Sequence, residues 1–351
     1  MQDALFPDDL DGNLPAERAR ASSKSPALGV RPQPPDAAHA ELAATLPLLA
    51  RLGTSSWNSP GWKGLVWDGE YSESQLAKTG LQAYARHPLF RCVSLDRAFY
   101  RPLTAAQYAA YAAQVSDDFR FVVKAPARVA DATVRGEQGQ ALQNNPDFLN
   151  ADLAVQTFVQ PALEGLQHKL GVLAFQLSPL PLGLQARLPD LLEQLAHMLQ
   201  ALPSLQAQAP GAVVAVEVRD PIWLDPRFAP ALVKLLRASG ATYCLGLHAK
   251  MPPIEDQLPL LRALWPGPLV CRWNLNRLHG AYGYEEATKL YGPYNQLVDI
   301  DLHTRATLAK VINATTQAGH LAYVTVNNKA EGCAPLTVAA LAAQVRGQLR
   351  P

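Results

Sequence analysis

A charged pair ends an otherwise apolar segment in the middle of the chain. The segment VVAVEVRDPIW begins at Val213 with β-branched residues and then places Glu217 and Arg219 two positions apart. On a strand, residues two apart share a face, so this pair would point together, and Val216 and Val218 would point the other way. A carboxylate beside a guanidinium can transfer protons and bind anions, or it can form a purely structural ion pair.

Polar groups also follow seven of the eight apolar segments of this kind. Cationic side chains outnumber carboxylates among them, which favours an anionic ligand that carries a phosphate or a carboxylate. A lysine beside other cations in a dry site loses its proton easily, which suits a base or an imine-forming amine. We therefore predict Lys124 and Glu217 as catalytic residues. The predicted substrate-binding residues are Ser55, Trp57, Asp96, Tyr100, Gln176, Arg219, Trp223, Arg272, Asn274, Asn327 and Asn328.

The elements that would position these residues are eight apolar segments alternating with stretches of helical period. The helical stretches carry recognisable ends, such as the capping-box pair Thr104 and Gln107, and the closing glycines Gly240 and Gly319. This alternation predicts a (β/α)8 TIM-type barrel, whose functional groups lie at the carboxyl ends of its strands. The predicted strands lie within Ala50–Trp57, Phe90–Asp96, Phe119–Pro126, Gly171–Leu177, Val213–Val218, Ala241–Leu247, Pro268–Trp273 and Leu321–Asn328.

Two further features divide the chain. Residues 1–48 are rich in Pro, Ala and Ser and lack apolar periodicity, so we predict a flexible N-terminal extension followed by a barrel domain over 49–351. The connections Ala127–Leu170 and Asn274–His303 are too long for simple crossovers, and long loops of this kind are often functional lids or insertions.

Composition narrows the class of function. The chain has 351 residues, 31 Lys and Arg against 30 Asp and Glu, and a net charge of +1, so bulk nucleic-acid binding is disfavoured. It has neither a long apolar stretch nor an N-terminal leader pattern, so we expect a cytoplasmic protein without a membrane partner. The four cysteines are widely spaced and are expected to be buried thiols. No nucleotide-binding or zinc motif is present, and we expect neither cofactor nor bound metal.

Six motifs, in order, resemble those of the domain-of-unknown-function 72 (YecE-like) family: LGTSSWNSPGWKG, AFYRPLTAAQY, FRFVVKAPARV, LGVLAFQLSPL, VAVEVRDPIW and YVTVNNKAEGCAP. The resemblance extends from about Leu52 to Leu349 and implies a TIM barrel, but no particular reaction. It marks as site residues Thr54, Ser55, Trp57, Tyr100, Lys124, Gln176, Glu217, Arg219, Trp223, Arg272, Asn327 and Asn328. The chain departs from the family pattern at Ser94 and Asp96, at His279, and at Lys329, where an acid is usual.

Two classes of function remain open from the sequence. The first is an enzyme for a small anionic substrate, in which Arg219 and Arg272 hold charge and Lys124 or Glu217 moves protons. The second is a non-catalytic binding protein for nucleotides or single-stranded nucleic acid that uses the same cations with stacked aromatic rings. Hydrolysis by a carboxylate pair or by a bound metal has weaker support, because Asp96 and Glu217 are the only strand-end acids.

Overall fold

Eight parallel strands close into a barrel, which confirms the fold predicted from the alternating segments. The computed structural model describes residues 29–136, 140–280 and 283–348. In chain order the barrel strands are β1 (Ala50–Thr54), β2 (Cys92–Leu95), β3 (Arg120–Lys124), β6 (Leu170–Gln176), β7 (Val213–Glu217), β8 (Thr242–Leu247), β9 (Leu269–Trp273) and β10 (Ala322–Val326). The numbers β4 and β5 belong to a separate hairpin between β3 and β6. Pairing of β1 with β10, with Ala50 opposite Ala322, closes the ring.

Helices surround the barrel and fill its connections. They are α1 (Ala37–Thr45), α2 (Glu73–Thr79), α3 (Leu81–Tyr84), α4 (Arg97–Tyr100), α5 (Ala105–Ala112), α6 (Ala127–Ala130), α7 (Ala151–Ala154), α8 (Gln160–Leu166), α9 (Leu182–Gln185), α10 (Leu188–Gln200), α11 (Ala229–Ala238), α12 (Ile254–Ala263), α13 (Tyr284–Tyr291), α14 (Leu302–Gln317) and α15 (Ala334–Gln348). Thr104 and Gln107 form the predicted capping box of α5. Gly240 and Gly319 follow α11 and α14 with positive φ, as their sequence positions predicted.

The two long connections contain structure of their own. The first holds a short antiparallel hairpin, β4 (Thr133–Arg135) and β5 (Ala141–Asn144), before α7 and α8. The second holds α13 and the approach to α14. Of the predicted N-terminal extension, residues 1–28 lie outside the described residues; within the remainder, Asp36 caps α1 and Leu42 is buried.

Side chains alternate along the strands between the barrel interior and the helix layer. On β7, Val213 and Ala215 pack inside the barrel, whereas Val216 packs with the outer core between strands and helices. Glu217 therefore faces the barrel interior at the end of the strand, as the period-2 pattern predicted. All four cysteines are free and buried, as expected from their spacing. In the described parts of the chain, no helix combines the length and apolarity needed to cross a membrane.

Candidate functional site

Arg272 is the centre of a buried charge network at the carboxyl ends of the strands. Its Nη2 donates to both carboxylate oxygens of Asp96, at 3.0 and 2.8 Å. Its Nη1 donates to Gln176 Oε1 at 2.9 Å and to Glu217 Oε2 at 2.6 Å. One guanidinium on β9 thus joins the end of β2 to the last residues of β6 and β7. We call Asp96, Lys124, Gln176, Glu217, Arg219 and Arg272 the mouth cluster.

Glu217 is fully buried, and each of its carboxylate oxygens lies beside a guanidinium group. Its Oε1 lies 2.6 Å from Arg219 Nη2, and its Oε2 accepts from Arg272. Burial on its own would raise the pKa of Glu217, but the two arginines hold that pKa below its ordinary value. This geometry is that of an ionised carboxylate between two cations. Since each oxygen already faces a guanidinium, the carboxylate mainly holds Arg219 and Arg272 in place.

Lys124, the last residue of β3, forms no such ion pair with a carboxylate in the described part of the chain. Its side chain is buried, the residue being 8% exposed, and its Nζ lies 3.4 Å from the centroid of the Phe99 ring. Among the described residues, no acidic oxygen lies within 4.0 Å of this ammonium. Burial lowers the pKa of Lys124 to about 7; Asp96 opposes the shift, and Arg272 and Arg219 add to it. Lys124 can therefore exchange a proton near neutral pH.

Asp96 is the part of the mouth cluster that reaches solvent. Its side chain is 32% exposed and accepts a hydrogen bond from Ser94 Oγ at 2.6 Å. Partial burial would raise its pKa, but Arg272 and Lys124 hold the pKa of Asp96 below its ordinary value. An ionised carboxylate therefore stands at the solvent edge, next to the amine of Lys124.

The predicted asparagines divide between the strand ends and the surrounding loops. Asn327 Nδ2 donates to Ser55 Oγ at 2.8 Å, which links the ends of β10 and β1. Asn274 Nδ2 reaches the Arg272 carbonyl at 3.4 Å. Asn328 instead ties loops together, because its Oδ1 accepts from Trp62 Nε1 at 3.0 Å and from the Ala334 amide at 2.9 Å.

The predicted aromatic residues are mostly interior. Trp223 is fully buried, and the buried Trp57 meets Tyr111 of α5 edge to face, with centroids 5.5 Å apart. Tyr100 is 51% exposed and packs edge to face on Phe99. Of these predicted rings, Tyr100 is therefore the one open to solvent.

Two aromatic residues beside the cluster were missed by the sequence reasoning. Phe99 lies under Lys124. Tyr284, the first residue of α13, has its pKa raised to about 12 by burial and by the nearby Tyr100 and Asp96. Phe99 lies within a motif noted in the sequence, AFYR, next to the residue that was chosen. Tyr284 lies far along a long connection, where no strand-end position could indicate it.

The geometry of a metal site is not found in the described ranges. Among these residues, no group of three or more His, Cys, Asp or Glu side chains is arranged to hold an ion. His248, which directly follows β8, has its pKa lowered to about 3 by burial and by Arg219, and its Nδ1 accepts from the Lys250 amide at 3.1 Å.

Two surface cavities lie away from the mouth cluster. One, of about 270 Å³, is bounded by the segment before α1 together with His39, His87 and Pro335. The other, of about 480 Å³, is shallow and lies between the connections that follow β7 and β8, beside Ile222 and Asp256. No member of the mouth cluster lines either cavity.

The barrel and its motifs match a known family. The family described as protein of unknown function DUF72 matches residues 51–351. The chain belongs to the DUF72 family. A DUF72 family protein from Enterococcus faecalis V583 is 19% identical, with a TM-score of 0.55 over 85% of this chain and 94% of that one. A DUF72 family protein from Thermotoga maritima MSB8 is 20% identical, with a TM-score of 0.50 over 86% of this chain and 98% of that one.

These DUF72 structures share the fold with this chain, and at 19% and 20% sequence identity they show the fold alone. A search among curated proteins found no significant match. The resemblance seen in the six sequence motifs is thereby confirmed for the family and for the barrel. The roles of the individual site residues remain predictions.

Proposed function

We propose that this DUF72 protein is an enzyme that acts on a small anionic substrate at the carboxyl face of the barrel, with Lys124 as the reactive amine. The observation that carries the proposal is the state of Lys124: a buried amine with a pKa of about 7, on an aromatic ring, without a carboxylate within 4.0 Å among the described residues. An amine in this state is in part a free base at neutral pH and can act as a nucleophile.

The chemistry best suited to such an amine is imine formation with a carbonyl group. The lone pair of Lys124 Nζ attacks the carbonyl carbon, and a proton passes from the nitrogen to the oxygen to give a carbinolamine. The carbinolamine then takes up one proton from solvent and loses water, which leaves a protonated imine. Asp96 is the nearby ionised group that reaches solvent, and it would stabilise the positive charge on that imine. A keto acid supplies both the carbonyl and the anionic group.

Glu217 is the weaker of the two predicted catalytic residues. Its two oxygens lie 2.6 Å from Arg219 and Arg272, which lower its pKa, so it is not suited to carry a proton at neutral pH. We assign it the role of holding the two arginines. They in turn keep the ammonium form of Lys124 unfavourable.

The binding-protein alternative would need exposed rings on which bases could stack. Trp57 and Trp223 are buried, which leaves Tyr100 as the exposed ring among those that were predicted. This supports the catalytic proposal over the binding of single-stranded nucleic acid.

Reductive trapping tests the proposal. The protein is incubated with a panel of small keto acids, beginning with pyruvate, and then treated with borohydride, which converts an imine into a stable secondary amine. Mass spectrometry of the digested protein should place the adduct on Lys124, and Lys124→Met should remove it. Lys234→Met, at an exposed position of α11, is the control and should leave the adduct unchanged. Absence of an adduct with every keto acid, or equal labelling of exposed lysines, would contradict the proposal.

A further inference from the structure

A second lysine near the barrel mouth stands between two tyrosine rings. Lys329 follows the end of β10, and its Nζ lies 4.2 Å from the ring centroid of Tyr284 and 5.3 Å from that of Tyr294. Both tyrosines belong to the long connection after β9. Cation–π contacts of this kind orient an ammonium group without neutralising its charge.

The backbone at this lysine is fixed from two sides. Its amide donates to Asn327 Oδ1 at 3.0 Å, and its carbonyl accepts from the Asn276 amide at 2.9 Å. The side chain therefore leaves from a well-defined turn, and its position between the rings does not depend on a mobile loop tip.

Among the residues that the structure describes, Lys329 also lacks a counter-charge. Within the described ranges, no acidic oxygen lies within 4.0 Å of its Nζ, and burial lowers its pKa to about 8. Lys329 is half-buried, whereas the buried Arg219 and Arg305 are paired with Glu217 and Glu331, each at 2.6 Å. Removing a charge from water without a partner is costly, so a bound anion would stabilise this arrangement.

Tyr284 connects this lysine to the mouth cluster. Its ring contacts Lys329, and it lies close enough to Asp96 and Tyr100 for both to raise its pKa. Within the mouth cluster, Asp96 and Glu217 balance Arg219 and Arg272. Lys124 and Lys329 are therefore the two amines beside this region that have no carboxylate partner among the described residues.

We propose that Lys329, held between Tyr284 and Tyr294, is the anion-binding subsite of the protein. It would take a phosphate or carboxylate group of a substrate whose carbonyl group reacts at Lys124, so the substrate class is a small carbonyl compound with an anionic group apart from the carbonyl. This assignment rests on the proposed function. It can be tested separately, because simple anions need no imine chemistry.

The test is isothermal titration of the whole protein with inorganic phosphate and with malonate at pH 7, below the pKa of Lys329. We expect saturable binding of at least one of the two anions, and the stronger one identifies the group that the subsite takes. Lys329→Met keeps the apolar stem between the rings and should weaken binding at least tenfold, which corresponds to about 1.4 kcal/mol. Lys329→Arg should restore most of the affinity. Lys234→Met, at the exposed position of α11, is the control and should change the Kd less than twofold.

Two results would overturn the subsite: wild-type protein that binds neither anion, or a Lys329→Met variant that binds as tightly as the wild type. A variant with a normal melting temperature and lost binding supports it, because a purely structural lysine would change the melting temperature instead. If anions bind at Lys329 and trapping at Lys124 fails, the proposed reaction is wrong and the subsite stands. If trapping at Lys124 succeeds and no anion binds at Lys329, the subsite is wrong and the proposed reaction stands.

Discussion

Replacing Glu217 by Gln should strongly destabilise the fold, because the carboxylate holds two guanidinium groups. Glu217 is fully buried and lies 2.6 Å from both Arg219 and Arg272, so its loss leaves excess positive charge where water cannot compensate for it. Breaking a buried ion pair in this way costs about 3–5 kcal/mol. For a barrel of this size, the urea midpoint should fall by about 1 M or more at pH 7.

The effect of this substitution should depend on pH with a definite sign. The folded-state pKa of Glu217 lies below its ordinary value of 4.5, so its stabilisation is complete above that value and is lost as the pH falls through the folded-state pKa. The difference between wild type and Glu217→Gln should therefore be full at pH 7 and shrink below about pH 4.5. Urea unfolding, followed by circular dichroism at several pH values, measures it.

A matched control separates the mouth cluster from buried ion pairs in general. Glu331 is also fully buried and pairs with Arg305 at 2.6 Å, away from Lys124. Glu331→Gln should lower stability comparably and leave the pH dependence of imine formation unchanged. Glu217→Gln should additionally lower the pKa of Lys124, because Glu217 raises it. A Glu217→Gln variant within about 1 kcal/mol of the wild type at pH 7 would refute the assigned role.

Three further outcomes follow from the same structure. The rate of imine trapping by the wild type should rise with pH through about 7, as Lys124 loses its proton, and a rate that is flat between pH 6 and 8 would contradict the shifted pKa. Asp96→Asn should move that midpoint to lower pH by roughly one unit, since Asp96 favours the ammonium form; a midpoint shifted upward would refute this. Asn328→Ala should lower the free energy of unfolding by about 2–4 kcal/mol, because the Trp62 indole and the Ala334 amide lose their acceptor; a loss below about 1 kcal/mol in urea unfolding would contradict this.

The barrel could be predicted from the sequence because each strand and helix is recognisable from residues that are close together in the chain. Short β-branched runs, a capping box at Thr104, and closing glycines such as Gly240 depend on neighbouring residues alone. The shared face of Glu217 and Arg219 was also predictable, since it follows from the period of a strand. These features predict polar groups at the carboxyl ends of the strands, but they do not indicate which of these side chains contact one another.

The pairing within the site could not be predicted, because it depends on distant strands. Arg272 meets Asp96 across 176 positions of sequence, and only closure of the barrel brings β9 and β2 to the same mouth. Phe99 and Tyr284 come from connections rather than strands, so no periodicity indicates them. The hairpin of β4 and β5 escaped notice for a related reason: its residues are mostly exposed and polar, and it lacks the apolar alternation by which strands are recognised.

The charge network also determines how the barrel can be divided. Asp96 and Gln176 lie before the connection 201–212, whereas Glu217, Arg219 and Arg272 follow it. A chain cut in that segment would separate Asp96 and Lys124 from Arg272, and would leave the other fragment with two guanidinium groups and one carboxylate. Alone, the first fragment would bury Asp96 without its arginine partner. The second fragment would bury two arginines with only Glu217 to pair with them. The two fragments should therefore associate with each other, because association restores the Asp96–Arg272 ion pair between the two parts of the barrel.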